Sequence, residues 1–473
     1  MGTTALDHRQ RIKLLYGRAA MGISPSRLAA LEQQPFSGIV EDLFAGSAEW
    51  KPLETAQRVA TLKQYRAMSE KDQRAFRREQ RNNTAELNVE WMQRLSGNAG
   101  ILREKMTLFW HGHFACRSKW GLSTQQLNNV LRQHALGNFG ALLRGVSRSP
   151  AMLEFLDNQQ NRRGAPNENF AREVMELFTI GRGNYTEPDI REGARAFTGW
   201  SFRLETGEFV FNEEQHDFGE KTFRGHTGRW DGDDILGFLL DDERTAAFIS
   251  RKIYRWFVQP EVDEAFVGIM AKRFFGSGYD IEDLMRFLFT SEHFAQERNL
   301  GARIKNPVEL LAGLDHLFNI VYELPDQRIA LQRALGQVLF FPPNVAGWAE
   351  GKAWIDSNSL QLRLRMPSVL LNNGALEWEP DGSDPEGLDA AMMMDAQGDQ
   401  PQRDGKGRVL RTVSDKEQFV FGLPKEMSND GLCEALLAIP PSQALRSSIS
   451  PAGQASVFDR VLQVLSSPEY QLC

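Results

Sequence analysis

The chain has 473 residues, 41% of them hydrophobic and 25% charged, enough for two or three units of ordinary size around a large core. A net charge of −7 argues against a general nucleic-acid or membrane-surface binder, and three scattered cysteines (Cys116, Cys433, Cys473) exclude a disulfide scaffold. No apolar run reaches the ~18 residues that suggest a membrane span.

The first thirty residues hold Arg9, Arg11, Lys13, Arg18 and Arg27 and no uninterrupted apolar stretch. The chain as given is therefore expected to be cytoplasmic, or to have had a leader removed, with export left open. Residues 1–98 read as an N-terminal helical region. Within it, KQYRAMSEKDQRAFRREQRNN mixes both signs of charge at helical spacing and predicts an exposed helix. A main helical domain is expected over 99–370, punctuated at Pro150, Gly164–Pro166, Gly181–Gly183 and Gly199. Trp200 to Phe211 alternates about Thr206-Gly207 and reads as one short β-hairpin. HDFGEKTFRGHTGRWDG (216–232) reads as a long ordered loop, and FFPPNVAGWAEGKAWID (340–356) as another, since Pro342-Pro343 forbids a helix. Residues 371–432 are rich in Gly, Asp, Pro and Gln and read as a flexible insertion or linker, most exposed over 375–405. A C-terminal helical segment fills 433–473. The expected fold is mainly α: a multi-helix globular scaffold with one short β-hairpin and long ordered loops.

One internal echo stands out. LLRGVSRSPAMLEF (142–155), LMRFLFTSEHFAQ (284–296) and RVLQVLSSPEYQL (460–472) each place a Ser or Thr between an apolar helix and a second short turn. The spacing predicts that this residue caps the second turn. Three copies at unequal intervals do not make a solenoid.

Six ordered motifs carry a resemblance. REKMTLFWHGHFA (103–115), NENFAREVMELFTIG (167–181), YTEPDIREGARAFTGW (185–200), HDFGEKTFRG (216–225), RKIYRWFV (251–258) and PPNVAGW (342–348) resemble the bacterial family known as domain of unknown function 1800. The likeness runs from about residue 10 to 370, and the final helix resembles the family's end. It implies no activity. Many members lie beside a second family, domain of unknown function 1501, which the resemblance makes a candidate partner.

The chemistry-bearing residues within these motifs are few. His111 and His113 flank Gly112; residues two apart sit ~200° apart on a helix, so both face one site only if the segment breaks at Gly112. Glu173 falls about 60° from Phe170, at the edge of an apolar stripe and without a cation on its own helix. Glu176 is expected to pair with Arg172, and Glu192 with Arg195. Thr186 and Asp189 resemble a capping box. His216-Asp217 follows the hairpin, and Asp217 is either a functional carboxylate or the start of an Asx turn toward Gly219. Lys252 and Tyr254 read as structural, and Trp348 with Trp354 as an ordered aromatic wall.

Two classes of function are left open. In the first, the protein is an enzyme in which His111, Glu173 and His216 ligate a divalent metal ion, with His113 and Asp217 beside them, for hydrolysis or redox work. Trp110, Asn169, Lys221, Asn344 and Trp348 would then contact substrate. In the second, it is a non-catalytic binding or assembly protein whose tryptophans line a groove for a partner protein or a glycan. The absence of G-x-x-x-x-G-K-[ST], H-E-x-x-H and G-x-S-x-G disfavours a P-loop enzyme, a zincin and an α/β-hydrolase.

Overall fold

The computed structural model describes residues 5–55, 59–372, 375–376, 408–409, 411–424 and 426–473. Its centre is the helix Ile101–His113, in which every residue but Gly112 is buried. Helices His8–Ala19, Phe36–Ala45, Glu70–Ser96 and Gly121–Gln133 pack around it. A helix buried on all sides must satisfy its own charges. Arg103 donates to the main-chain oxygens of Ser47, Ala48 and Arg132. Glu104 accepts from Arg132 at 2.8 and 3.0 Å and from the Trp91 indole at 2.9 Å. Lys105 lies 2.6 Å from Glu309.

The charged run before this helix is less exposed than its composition predicts. Glu70–Ser96 is one helix of 27 residues, and from Phe76 onward it turns Gln80, Thr84, Leu87, Asn88, Trp91 and Met92 inward. Asn88 and Gln332 exchange amide hydrogen bonds at 3.0 and 2.7 Å, so polar residues on this face belong to the core.

Helix starts follow the capping chemistry. Thr186 and Asp189 form the expected capping box at the head of Glu187–Ala196, and Asn306 with Glu309 forms another at Pro307–Phe318. The three echoed segments share one device: Ser149, Ser291 and Ser467 each accept an N–H from the residue three places on, at 3.3, 3.1 and 3.3 Å.

Strand is minor. Trp200–Phe202 pairs antiparallel with Phe209–Phe211, as the alternation predicts. The stretch expected as a plain loop holds a second hairpin, Lys221–Phe223 with His226–Gly228, turned at Arg224 and Gly225, both with positive φ. Phe223 is the one apolar side chain among its six strand residues, so no apolar alternation marks it in the sequence. Two further pairings join Val321–Tyr322 to Thr412–Val413 and Ala375–Leu376 to Arg408–Val409. No sheet among the described residues exceeds two strands, so the fold is mainly α. No described helix is long and apolar enough to cross a membrane.

Most of the segment singled out as exposed, 375–405, lies outside the described residues. Beyond it, Lys416–Phe421 forms a helix, and Asn429–Leu436 packs on Val457–Leu465.

Candidate functional site

The helix Ile101–His113 continues through Gly112 without the break that would turn both histidines to one side. His111 and His113 therefore face apart, as a helical repeat requires. A Cβ added at Gly112 would meet nothing within 4 Å, and the close approach falls on its neighbour instead. Gly347, at φ +86°, packs so tightly on Gly112 that an added Cβ would stand 2.7 Å from the Gly112 carbonyl oxygen.

His111 is a neutral acceptor in the core. Its Nε2 takes the Phe340 N–H at 3.1 Å, and its ring lies among Trp91, Phe340 and Trp348. Burial pushes its pKa down to about 3.

His113 meets two other motifs. The segment NENFAREVMELF begins as the helix Asn169–Glu173 and widens into a π turn over Val174–Phe178. Such turns recur at functional sites. This one presents two carbonyls: Phe178 accepts from His113 Nε2 at 3.2 Å, and Leu177 accepts from Lys252 Nζ at 3.3 Å. Lys252, on the helix Glu243–Phe257, also donates to His113 Nδ1 at 3.0 Å. These partners fix the imidazole as the Nε2–H tautomer. Burial first, and then the Lys252 charge, hold His113 well below its ordinary pKa. Burial lowers Lys252 to about 8, with Arg255 acting the same way and Glu350 opposing.

His113 and Lys252 open onto a cavity of about 610 Å³. Trp256, Trp348 and Trp354 form its aromatic walls, with Gly112 exposed to its space. Lys252, Arg255, Arg303 and Lys352 bring positive charge to it against Glu261 and Glu350. Lys252, Arg255 and Lys352 form no ion pair among the described residues. Arg303 lies over the Trp256 ring at 4.8 Å and stands 3.5 Å from Glu309, while its buried Nη1 has no hydrogen-bond partner among the described residues. Burial would raise Glu309, but Arg303 and Lys105 draw it down to about 2. A second hollow, of about 780 Å³, is lined by Arg74, Arg77, Arg78, Arg81, Tyr65 and Trp120 among others, and none of the candidate residues lines it.

The other candidates are dispersed. Among the described residues, no group of three or more His, Cys, Asp or Glu side chains could hold a metal ion, so His111, Glu173 and His216 do not form the expected ligand set. Glu173 is half-buried and has neither hydrogen bond nor ion pair among the described residues; burial and then Glu176 raise its pKa. Glu176 pairs with Arg182 and Tyr185 rather than with Arg172, which turns to Glu168 and Glu187. The wheel fails there because the π turn changes the angular repeat. His216 is buried and donates from Nδ1 to the Thr198 carbonyl at 2.8 Å. Asp217 closes an Asx turn on Gly219 at 2.8 Å and pairs with Arg195, which also holds Glu192. Lys221 caps the same loop through the Asp217 and Gly219 carbonyls. Trp110 is wholly buried, with its indole on the Ala135 carbonyl, so it packs the core and does not line the cavity. Asn169 and Asn344 are exposed; Asn344 accepts the Ala346 N–H in a turn of its own.

Trp348 alone of the five expected substrate contacts lines the cavity, together with His113. The sequence reading makes Lys252 structural and does not single out Arg255, Trp256 or Arg303 for this cavity. RKIYRWFV offered a signal, since Lys252 and Trp256 are four apart and share a helix face with an apolar neighbourhood.

The chain matches the family described as "Protein of unknown function (DUF1800)" over residues 14–472 and belongs to it. No curated protein and no solved structure matches it.

Proposed function

We propose that this DUF1800 chain binds a small organic acid with a flat face, such as an acidic sugar or an aromatic acid, in the cavity between Trp256, Trp348 and Trp354. One observation carries the reading: among the described residues, four cationic side chains, of which Arg303 faces Glu309, and three indoles line one cavity together with two carboxylates. Indole faces favour flat rings and the apolar faces of sugars, and cations in a partly enclosed cleft focus an attractive field on an anion. This is the glycan-binding branch of the sequence reading. The metal-dependent hydrolase or oxidoreductase draws no support from the placement of His111, Glu173 and His216.

The test is a titration of tryptophan fluorescence with oligogalacturonate and with terephthalate. Saturable quenching is expected, weaker at high salt and ~10-fold weaker in Arg255→Gln, the loss of about 1.4 kcal/mol of a charged contact. Absence of saturable binding by either acid defeats the reading.

An assembly role with a DUF1501-family protein has one observation in its favour. Val321 and Val413, cross-strand neighbours, are 62% and 72% exposed, with Leu324 nearby in sequence also exposed. Co-purification that Val413→Lys abolishes would support it; co-purification indifferent to that change would not.

A further inference from the structure

We infer that Lys252 is an imine-forming lysine, and that the cavity takes a carbonyl compound that also carries a carboxylate. The inference rests on the proposed function, because it assigns a reaction to the same cavity.

The argument starts from the hydrogens on Nζ. A charged ammonium has three N–H groups and no lone pair; a neutral amine has two N–H groups and one lone pair. The structure supplies two acceptors to Nζ, His113 Nδ1 at 3.0 Å and the Leu177 carbonyl at 3.3 Å. Both are neutral, and no carboxylate stands in ion-pair contact with Lys252 among the described residues. Two neutral acceptors match the neutral amine and leave its lone pair for an electrophile. Neither acceptor can drift: His113 is held by the Phe178 carbonyl on its far side, and Leu177 belongs to the π turn. Burial disfavours the ammonium most; Glu350 opposes this effect and Arg255 adds to it, and the resulting pKa of about 8 agrees with the two neutral acceptors. A lysine kept only for structural charge would be better served by a carboxylate, as Lys105 is by Glu309.

The step balances without any outside reagent. The Nζ lone pair attacks the carbonyl carbon, a C–N bond forms, and the carbonyl electron pair moves to oxygen. A proton passes from nitrogen to that oxygen to give the carbinolamine. Loss of the hydroxyl with the second nitrogen-bound hydrogen releases water and leaves the C=N bond. Both amine hydrogens and the carbonyl oxygen depart in that water, and nothing is oxidised or reduced. Arg255, Arg303 and Lys352 line the same cavity and provide the charge for the carboxylate.

The experiment uses 4-carboxybenzaldehyde, which joins a flat ring, a carboxylate and an aldehyde. The full-length protein is treated with a limiting amount at pH 7.5, reduced with cyanoborohydride and mapped by peptide mass spectrometry. Lys252 is expected to be labelled ~10-fold or more over the average surface lysine, since an ordinary lysine of pKa ~10.4 is almost wholly protonated there. The labelling rate should rise with a midpoint near pH 8, a readout that does not depend on any variant folding. In Lys252→Arg the adduct at this position should vanish with no compensating site in the cavity. Labelling spread evenly over surface lysines overturns the inference. Terephthalate, which has no carbonyl electrophile, is titrated in parallel on the wild-type protein: if it binds while Lys252 goes unlabelled, only the imine reading has failed, and if it does not bind, the cavity reading has failed with it.

Discussion

Lys252 Nζ donates to His113 Nδ1 across 3.0 Å, although 139 residues separate the two in the chain. The contact joins the WHGHF helix to the RKIYRWFV helix, and the π turn holds both partners from behind. Burial first, and then the Lys252 charge, hold His113 well below its ordinary pKa, and burial lowers Lys252 to about 8.

That lowered pKa has a measurable consequence for stability. Below about pH 8 Lys252 is charged in both folded and unfolded states. Between about 8 and the unfolded value of ~10.4 the unfolded chain binds the extra proton, so raising the pH favours the fold; above ~10.4 the dependence ends. The melting temperature of the wild type should therefore rise relative to Lys252→Met across this window, measured by circular dichroism. Parallel curves would show that Lys252 titrates normally.

Beneath the cavity, Lys105 and Glu309 form a buried pair at 2.6 Å. Lys105→Met leaves Glu309 with Arg303 at 3.5 Å and the Asn306 N–H, so it should destabilise in urea unfolding by less than the ~3–5 kcal/mol of a fully stranded charge. Glu309 is held at about 2 against an ordinary ~4.3, so between these values the unfolded state binds more protons. Wild-type stability should accordingly fall as the pH drops from ~4.3 to ~2, and Glu309→Gln should remove that part of the slope.

Gly347 combines a left-handed backbone with contact to the Gly112 carbonyl. Gly347→Ala adds both backbone strain and a clash, for a loss of ~1–3 kcal/mol. Because Trp348 follows immediately, acid binding should weaken together with stability. An unchanged melting temperature would contradict the packing described.

Thr186 opens the helix Glu187–Ala196 through its capping box. Thr186→Ala should destabilise by about 1 kcal/mol and leave the cavity's binding properties intact. The comparison separates general loss of stability from damage to the site.

The local grammar of this fold was legible: the Thr186 cap, the three echoed serines and the hairpin at Trp200 all follow from short-range chemistry. What escaped, apart from the local hairpin at Lys221–Gly228, was whatever depends on elements distant in sequence. Lys252 looks like one more cation on an amphipathic helix until Leu177 and His113 stand beside it. Glu173, in the α-helical part, is half-buried and unpaired among the described residues, as the 100° repeat places it, but no other ligand among them joins it; the repeat misplaces Glu176, which lies within the π turn. His111 and His113 invited a shared site by adjacency, yet the helix runs unbroken and sends one to the core and the other to the cavity. Polar residues of the charged run, such as Gln80 and Asn83, misled in the other direction, since their burial is visible only in the folded chain.

The π turn at Val174–Phe178 also sets how the site could be lost. A turn closed from i to i+5 holds one residue more than its α-helical counterpart. A single-codon deletion between Val174 and Phe178 would let the helix relax to the ordinary repeat, preserving its hydrophobic content while swinging the Leu177 and Phe178 carbonyls off their partners. Every side chain lining the cavity would survive in the gene, yet Lys252 and His113 would lose the backbone that orients them. The number of residues in this one helical turn is thus as much a part of the site as the side chains that line it.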